Sequence, residues 1–418
     1  MIPLRLDEVE SLCPGTLDRA PGADGAAGVQ IDSRRVAPGD LFVAVDGGRD
    51  YVADALGRGA AAALVPEDAF QALAALGRAV RDRSAATVVA ITGSTGKTST
   101  KDILAAICAP RRRTVAAEAS YNNELGVPLT LCRLEPDTEV CILELAMRGL
   151  GQIATLAEIA RPSVAVITNV GPAHLELVGS LEAVAGAKRE LIDALPPGGL
   201  AIVPDDFEVT RHDVEVVRRG TPEATIEDGR TRMRFEGRDV VLPLRGRHQA
   251  ENALSALLVA RALGLEVEGP VDVALPRWRG EEVPLPGGGV LVNDCYNANP
   301  ASMRAALEDL VERAGGRRTV AVLGGMAELG ASSAAYHREI GELAASLGID
   351  VLVAVGELGR HYLDSEAGVA VRATAADAQE AARVVADLLR PGDAVLVKGS
   401  RVVGLEVVAD ALAGGRVD

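Results

Sequence analysis

The chain has 418 residues, of which 48% are hydrophobic and 24% are charged, a composition typical of a folded globular protein. Its length exceeds what one hydrophobic core organises, so about three domains are expected at roughly 150 residues each. A formal net charge of -16 argues against broad contact with nucleic acid or with an anionic membrane, because both require clustered cations.

The cysteines and the amino-terminal segment bear on the compartment. The five cysteines are odd in number, contain no C-x-x-C pair and mostly have apolar neighbours, so we expect buried, reduced thiols. The first residues lack a basic stretch followed by an apolar one, and no run approaches the roughly 18 apolar residues of a membrane span. These features predict a soluble, cytoplasmic protein without a membrane span or a nucleic-acid partner.

The pattern of residues 1–84 predicts a small α/β unit. Short apolar runs of strand length, such as 41–45 and 61–65, are separated by the turn residues Gly, Pro and Asp. From Thr87 the pattern changes to longer apolar runs that alternate with helix-period segments. The predicted strands cover residues 87–92, 140–145, 164–170 and 200–203, and the predicted helices start near 97 and cover 151–160 and 180–194. This alternation predicts a mostly parallel sheet covered on both faces, over residues 85–270.

A linker is predicted near residues 264–276, where Gly and Pro interrupt the pattern, and a second alternation follows within 271–418. The predicted strands cover 289–294, 319–325, 350–356 and 394–400, and the predicted helices begin at Pro300 and cover 333–347 and 375–390. The predicted fold class is therefore α/β, with a small first domain, a central parallel-sheet domain and a doubly wound third domain.

The predicted strand 87–92 runs into a glycine-rich turn, which consists of Gly93, Ser94, Thr95, Gly96, Lys97, Thr98 and Ser99. Such a loop before a helix can wrap phosphates with backbone N–H groups. Lys97 would reach the β- and γ-phosphates, and the Thr98 hydroxyl would bind Mg²⁺. The strict pattern requires Gly where this chain has Ile91, but the shorter T-G-x-x-G-K-T form is itself a nucleotide signature. A plain strand-turn-helix remains the alternative.

The loop T-G-S-T-G-K-T-S-T-K resembles the ATP loop of the Mur ligases, which build the peptide of the bacterial cell-wall precursor. Further motifs follow in the family's order over nearly the full chain, and they are D-S-R (32–34), N-N-E-L-G-V-P (122–128), L-E-L (143–145), T-N-V-G-P-A-H (168–174), A-K-R-E (187–190), G-R-H-Q-A-E-N (246–252), D-C-Y-N-A-N-P-A-S-M (294–303), L-G-G-M-A-E-L-G (323–330) and K-G-S-R (398–401). The Y-N-A-N-P-x-S-M stretch resembles the family member that adds the terminal dipeptide.

This resemblance implies an ATP-dependent ligase that adds D-alanyl-D-alanine to UDP-N-acetylmuramoyl-tripeptide through an acyl-phosphate. It implies a uridine-nucleotide-binding domain over 1–84, a P-loop ATPase domain over 85–270 and a Rossmann-like domain over 271–418. ATP and two Mg²⁺ ions are the implied cofactors, and a monomer is expected. The alternatives are a sister ligase that adds a single amino acid, a small-molecule kinase or ATPase, and a nucleotide-binding scaffold without catalysis.

The resemblance also implies roles for individual residues. The implied catalytic residues are Lys97, His174 and Lys188. The implied metal ligands are Thr98, Glu144, His174 and, if its amine is carboxylated, Lys188. Each has a plainer alternative, because Glu144 could form a buried salt bridge, His174 could be a hydrogen-bonding residue, and Lys188 could be a surface lysine that pairs with Glu190.

Further implied contacts involve the nucleotide and the substrates. Beside the phosphate loop, nucleotide contacts are expected from Asn252, Asp294 and Tyr296, with His248 as a weaker candidate. Substrate contacts are expected from Asp32, Ser33, Arg34, Asn122, Asn123, Asn297, Asn299, Glu328, Lys398 and Arg401. Turn chemistry is the alternative for Asp294, Tyr296, Asn297 and Asn299, which follow a predicted strand. The sequence departs from the family's pattern at 119–121, 50–51, Gly325 and 280–281.

Overall fold

The computed structural model of the protein describes residues 1–365 and 368–414, with strands in an amino-terminal, a central and a carboxy-terminal α/β region. Within these residues, no helix has both the length and the apolar character needed to cross a bilayer. All five cysteines are buried and free, as predicted. The α/β fold class is confirmed, whereas the domain boundaries at 84/85 and 270/271 stay predictions.

The amino-terminal region contains β1 (Leu4–Arg5), α1 (Leu6–Leu12), β2 (Gly15–Arg19), β3 (Gly25–Ala26), β4 (Gly28–Gln30), β5 (Asp40–Val43), α2 (Val52–Gly57), β6 (Ala62–Pro66) and α3 (Ala69–Asp82), with 3₁₀ turns at Ser33–Arg35 and Gly48–Tyr51. Its sheet has the order β2-β6-β5-β4, and β1 pairs with β3. Part of its core merges with that of the central region, because Leu4 and Leu41 belong to the same hydrophobic cluster as Leu143.

The central region contains β7 (Thr87–Thr92), α4 (Lys97–Cys108), β8 (Thr114–Ala116), α5 (Gly126–Leu131), β9 (Val140–Glu144), α6 (Gln152–Ala160), β10 (Val164–Ile167), α7 (Leu175–Val178), α8 (Leu181–Asp193), β11 (Leu200–Val203) and β12 (Glu215–Arg218). Its parallel sheet has the order β12-β11-β10-β7-β9-β8. Val88 and Ala90 of β7 join one hydrophobic cluster, and Val89 and Ile91 join the cluster on the opposite face. Burial on both faces explains the continuous apolar run.

A small sheet that the sequence reasoning missed follows the central sheet. It contains β13 (Ala224–Glu227), β14 (Arg230–Phe235), β15 (Arg238–Leu242) and β16 (Gly269–Pro270). In the sequence, α9 (Arg247–Ala262) connects the last two strands. Asp228-Gly229 and Glu236-Gly237 form the two-residue hairpin turns, and all four residues have positive φ, from 50° to 77°. D-G between alternating strands is a strong hairpin signal, so this sheet could have been predicted.

The carboxy-terminal region contains β17 (Glu281–Pro284), β18 (Val290–Asp294), α10 (Pro300–Ala314), β19 (Thr319–Gly324), α11 (Ser333–Ser346), β20 (Val351–Val355), α12 (Gly356–Gly359), β21 (Val371–Ala375), α13 (Ala378–Leu388), β22 (Ala394–Lys398) and α14 (Glu406–Leu412), with 3₁₀ turns at Gly330–Ser332, Arg360–Leu363 and Arg401–Val403. The sheet order is β17-β18-β22-β19-β20-β21, and within the described part of this sheet β17–β18 is antiparallel while the other four pairings are parallel. The edge strands β17 and β21 were not predicted.

Candidate functional site

The glycine-rich loop leaves β7 and enters α4 through two positions that only glycine can occupy. Gly93 has φ of 156° and Gly96 has φ of 79°. A Cβ atom on Gly93 would lie 1.8 Å from Thr168 Oγ1, and one on Gly96 would lie 2.3 Å from Asn252 Oδ1. The loop therefore has the tight turn and the close packing on which a phosphate-binding conformation depends.

The segment after β10 holds this loop in place. Asn169 accepts hydrogen bonds from the loop, through its carbonyl from Ser94 N at 3.1 Å and through Oδ1 from Thr95 N at 2.9 Å. Gly171 N donates to Ser94 Oγ at 3.0 Å. The loop is therefore clamped by a neighbouring strand end before any ligand binds.

Behind the loop, Glu144 is a carboxylate with 1% exposure and two neutral donors. Thr98 Oγ1 donates to one of its oxygens at 2.8 Å, and Asn122 Nδ2 donates to the other at 2.7 Å. Among the described residues Glu144 forms no salt bridge, so the buried-ion-pair alternative is not what the structure contains. Lys97 Nζ donates to Gly93 O at 2.7 Å, and burial lowers the pKa of Lys97.

His174 and Lys188 have unusual environments. His174 precedes α7 with φ of 58°, and its Nδ1 contacts Glu328 of the carboxy-terminal region. Burial lowers the pKa of His174, which Glu328 partly opposes. Lys188 on α8 is 1% exposed, and burial, followed by the charge of Lys97, lowers its pKa to about 7.

The alternative interpretation of Lys188, as a surface lysine that pairs with Glu190, is wrong. Glu190, its expected surface partner, accepts instead from Gly151 N at 2.7 Å and Ala154 N at 3.0 Å. Within residues 1–365 and 368–414, Lys188 has neither a hydrogen-bond acceptor nor a salt-bridge partner. An unpaired buried lysine is costly, and a pKa near neutrality is a feature of functional sites.

The loop after β18 places several predicted residues against the central region. Asn299 caps α10 through Ser302 N, and its Nδ2 donates to Ser94 O of the phosphate loop at 3.4 Å. Asn297 Oδ1 accepts from Ala298 N at 2.9 Å. Lys398, predicted to bind substrate, is 2% exposed and pairs with Asp294 at 2.5 Å, so it holds this loop in shape.

These residues surround one large cavity between the central and carboxy-terminal regions, with a volume of about 970 Å³. Of the predicted site residues, its lining includes Ser94, Thr95, Gly96, Lys97, Thr98, Ser99, Asn122, Asn123, Glu144, His174, Asn252, Asp294, Tyr296, Asn297, Asn299 and Lys398, together with His248. Gly93, Lys188 and Glu328 do not line it, although Gly93 and Glu328 contact residues that do. The three-dimensional structure thus brings together segments spread over about three quarters of the chain.

Two further predicted substrate-binding residues, Arg401 and Asn123, have contacts within their own regions. Arg401 is exposed, pairs with Glu406 at 3.1 Å and lies 4.3 Å over the ring of Trp278. Asn123 lines the cavity, and its Oδ1 accepts from Gly126 N at 3.0 Å, at the start of α5. Their contacts with substrate stay predictions.

The residues D-S-R form a turn in the amino-terminal region. Asp32 caps the 3₁₀ turn by accepting from Arg34 N at 3.0 Å, and Arg34 pairs with it at 2.7 Å. This hydrogen bonding lowers the pKa of Asp32 to about 2. Ser33 is buried, whereas Arg34 is exposed. Their contact with a uridine nucleotide also stays a prediction.

Sequence reasoning missed Arg279 and Ser120. The Arg279 guanidinium lies 3.9 Å over the ring of Tyr296, and its Nη2 donates to Ser120 Oγ at 3.4 Å. Tyr296 also donates its hydroxyl to Ser120 Oγ at 2.7 Å. The sequence signals were departures from the family's pattern, which include Ser120 and adjoin Arg279, but they did not indicate which contacts these residues make.

Metal-binding groups are sparse. Among the residues that the structure describes, no three His, Cys, Asp or Glu side chains are grouped to hold a metal ion. Thr98 and Glu144 nevertheless place two oxygens 2.8 Å apart at the phosphate loop. Oxygen ligands of this kind suit Mg²⁺, which keeps several waters and takes further ligands from phosphates.

Profiles of known protein families match most of the chain. Residues 91–260 match the profile of the Mur ligase middle domain, and residues 278–401 match that of the Mur ligase glutamate ligase domain. A UDP-N-acetylmuramoyl-tripeptide–D-alanyl-D-alanine ligase of Mycobacterium tuberculosis is 37% identical, over 99% of this chain and 98% of the relative.

Solved structures agree with this match. A crystal structure of MurF from Acinetobacter baumannii superposes with a TM-score of 0.85 and 28% identity, over 99% of each chain. The MurF ligase from Thermotoga maritima in complex with ADP gives a TM-score of 0.79 and 29% identity, over 93% of this chain and 97% of that one.

Proposed function

The chain belongs to the Mur ligase family, and we propose that it adds D-alanyl-D-alanine to UDP-N-acetylmuramoyl-tripeptide, with conversion of ATP to ADP and phosphate. It is an ATP-dependent peptide ligase of peptidoglycan precursor synthesis. The observation that carries this assignment is similarity over the full chain to ligases with this activity, including the loop 294–303 that lies against the phosphate loop.

The chemistry needs a better leaving group than oxide on the substrate carboxyl carbon. A carboxylate oxygen attacks the γ-phosphorus of ATP, ADP departs, and an acyl-phosphate forms. The dipeptide amine then attacks the carbonyl carbon, phosphate leaves, and the amine loses a proton. The backbone of the phosphate loop and Lys97 would hold the transferred group and offset its charge.

Water must be kept from the acyl-phosphate, and contacts between the two regions that border the cavity would do so. Asn299 and Tyr296 of the carboxy-terminal region contact Ser94 and Ser120 of the central region. The substrates would therefore react between two regions that meet over them. Exclusion of water prevents hydrolysis of a reactive intermediate and strengthens local electrostatic interactions.

Two Mg²⁺ ions are part of the proposal. Thr98 and Glu144 would hold the first, and His174 with a carboxylated Lys188 would hold the second. These ions would neutralise the phosphates that the carboxylate must approach. The support is that Glu144 forms no salt bridge among the described residues and that burial lowers the pKa of His174, which favours the neutral form that binds metal.

Carboxylation of Lys188 has chemical support. An amine must be uncharged to attack carbon dioxide, and burial lowers the pKa of Lys188 to about 7. The nitrogen would form a bond to carbon, lose one proton and become a carbamate. Intact mass measured under carbon dioxide should show the added carboxyl group on the wild type and not on Lys188→Met. An unmodified lysine in a fully active enzyme would reject the carbamate.

The finer assignments are also proposals. We assign residues 1–84 to the uridine nucleotide, 85–270 to ATP and 271–418 to the dipeptide, although 366–367 and 415–418 lie outside the described residues. Asp32, Ser33 and Arg34 would contact the uridine nucleotide, and Asn297 and Asn299 the dipeptide. We propose a cytoplasmic location, because ATP and nucleotide-linked precursors are available there. We also propose a monomer.

Acceptor specificity tests the function. The purified protein should release phosphate with UDP-muramoyl-tripeptide only when D-alanyl-D-alanine is present, and mass spectrometry should detect the pentapeptide product. Single amino acids with the UDP-muramoyl di- or tripeptide serve as the comparison, since a sister ligase would use them. Phosphate release that ignores the acceptor would indicate an ATPase or kinase.

A further inference from the structure

Lys101 is a buried lysine that faces away from the cavity. It lies one turn after Lys97 on α4, is 2% exposed and does not line the cavity. Its Nζ donates to Ala117 O at 2.7 Å and to Ala119 O at 3.1 Å, and it pairs with Asp102 Oδ1 at 2.8 Å. Each N–H of the ammonium therefore has an acceptor, which a buried cation requires.

The carbonyls that Lys101 binds belong to the junction loop, which we define as residues 117–123. This loop follows the edge strand β8 and contacts all three regions of the molecule. Arg35 of the amino-terminal region donates to Glu118 Oε2 at 3.1 Å. Tyr296 of the carboxy-terminal region donates to Ser120 Oγ at 2.7 Å, and Asn122 donates to Glu144.

The backbone of the junction loop is strained at the point that Lys101 holds. Ala119 has φ of 44°, in the left-handed region. There the Cβ atom crowds the following carbonyl oxygen, so local preference alone does not favour this conformation. Tertiary contacts must hold it, and Lys101 supplies two of them on either side of Glu118.

From these contacts, and resting on the proposed ligase function, we propose that Lys101 is a positioning residue for ligation. By fixing the junction loop, it places Asn122 against Glu144 and presents Ser120 to Tyr296. The buried ammonium of Lys101 thus fixes the orientation of the Glu144 carboxylate beside the phosphate loop. It also fixes the position of Ser120, which the carboxy-terminal region contacts through Tyr296. Its removal should impair the reaction more than nucleotide binding, since Lys101 contacts neither phosphate loop nor cavity.

The main test replaces the ion pair by neutral side chains of similar size. Lys101→Met with Asp102→Asn avoids leaving a buried carboxylate unpaired. The kcat of dipeptide ligation should fall about 10- to 100-fold, the cost of a misplacement of about 1 Å, while the Kd for ADP stays within about 3-fold. Hydrogen exchange should become faster in peptides covering 117–123 and stay unchanged in those covering 91–96. Arg111→Met, which removes an exposed cation beyond the other end of α4, should change none of these values.

A second variant decides the matter if the first does not fold. Ser120→Ala buries no charge, and loss of its hydrogen bonds should lower kcat about 5- to 10-fold, with a smaller loss of ADP affinity through Tyr296. In combination with the Lys101 variant its effect should be less than multiplicative, because both act through one loop. The proposal is overturned by wild-type kcat in either folded variant, or by an equal loss of kcat and ADP affinity. Absence of ligation by the wild type would instead reject the proposed function.

Discussion

Glu144 and Lys188 are buried ionisable side chains without salt bridges to any residue that the structure describes. Glu144 is stabilised by the neutral donors Thr98 and Asn122, and Lys188 is left with a lowered pKa of about 7. Burial of such groups costs several kcal/mol unless a ligand or modification compensates. Their retention beside the phosphate loop is physical support for a metal-binding role at both positions.

Replacing Glu144 by glutamine tests the effect of its negative charge while the size of the side chain is kept. The amide of Glu144→Gln keeps the size and one acceptor but removes the negative charge, so kcat should fall at least about 100-fold and the Mg²⁺ requirement should rise. Steady-state phosphate release across a Mg²⁺ titration measures both. Glu158→Gln, on an exposed side chain of α6, is the control and should behave as the wild type. An unchanged Mg²⁺ dependence in Glu144→Gln would contradict the assignment.

Helix starts are the elements that build the site. α4 begins after Gly96, and α10 begins with a capping box in which Asn299 and Ser302 bond each other. The predicted start of α10 at Pro300 agrees with the structure, because Pro at the first helical position is a strong local signal. Both helix starts line the cavity.

Gly96 has a matched control elsewhere in the fold. Gly151 also precedes a helix, with φ of 83° against 79° for Gly96, but an added Cβ would meet nothing within 4 Å. Gly96→Ala and Gly151→Ala should both lose about 1–2 kcal/mol of stability from the left-handed backbone. Only Gly96→Ala should lose nucleotide affinity, by at least about 10-fold, because its Cβ collides with Asn252. Calorimetric titration with ADP distinguishes them, and equal affinities would contradict the proposed site.

His337 on α11 supports the loop that carries Glu328. The ring is 0% exposed, donates through Nδ1 to Ser333 O at 2.7 Å and accepts at Nε2 from Met326 N at 2.8 Å. Burial lowers the pKa of His337, so the folded state keeps the ring neutral while the unfolded chain binds a proton near pH 6.5. Its contribution to stability is therefore full above about pH 6.5 and is lost as the pH falls below that value.

Thermal unfolding between pH 7 and pH 5 checks this sign. The Tm of the wild type should fall with acidification, and His337→Asn should have a lower Tm at pH 7 but a shallower fall. His212→Asn, at an exposed histidine, should keep the slope of the wild type. A slope unaltered by His337→Asn would assign the acid sensitivity to other groups.

At the scale of the whole molecule, the central and carboxy-terminal regions meet at several points around the cavity. His174 contacts Glu328, and Glu176 N donates to Glu328 O at 3.2 Å. Gly330 approaches so closely that an added Cβ would lie 3.1 Å from the Cα of Glu176. The cavity therefore depends on how these regions pack.

A methyl group at Gly330 should disturb this packing. Gly330→Ala forces the backbone around Glu176 to shift by a few tenths of an ångström, and kcat should fall about 3- to 10-fold if closure positions the reacting groups. Gly348→Ala, also at positive φ but with nothing within 4 Å, shares the backbone strain without the contact. Ligation kinetics of the two variants make the comparison. Equal activities would argue that this contact plays no part in closure.

Much of the architecture could be predicted because its signals are local. Strand 87–92, the phosphate loop and the alternation of strands with helices follow from apolar runs, glycines and helix periodicity. The hairpin at 228–229 had an equally local signal in its D-G turn, whereas the Glu-Gly turn at 236–237 had a weaker one. The edge strands β17 and β21 were harder, because exposed residues dilute their apolar pattern.

Chain order and residue type were enough to predict the family and the α/β class, both of which are confirmed, and to propose the side chains that carry the chemistry, since each depends on motifs of a few neighbouring positions. Tertiary packing alone decided that Lys188 is buried and unpaired, that Lys398 binds Asp294, and that Tyr296 reaches Ser120 across 176 residues. The burial of Lys188 and these two contacts depend on which distant segments pack against each other and exclude water from the side chains between them. No local pattern encodes such contacts, because burial and pairing arise only once separate sheets pack against one another.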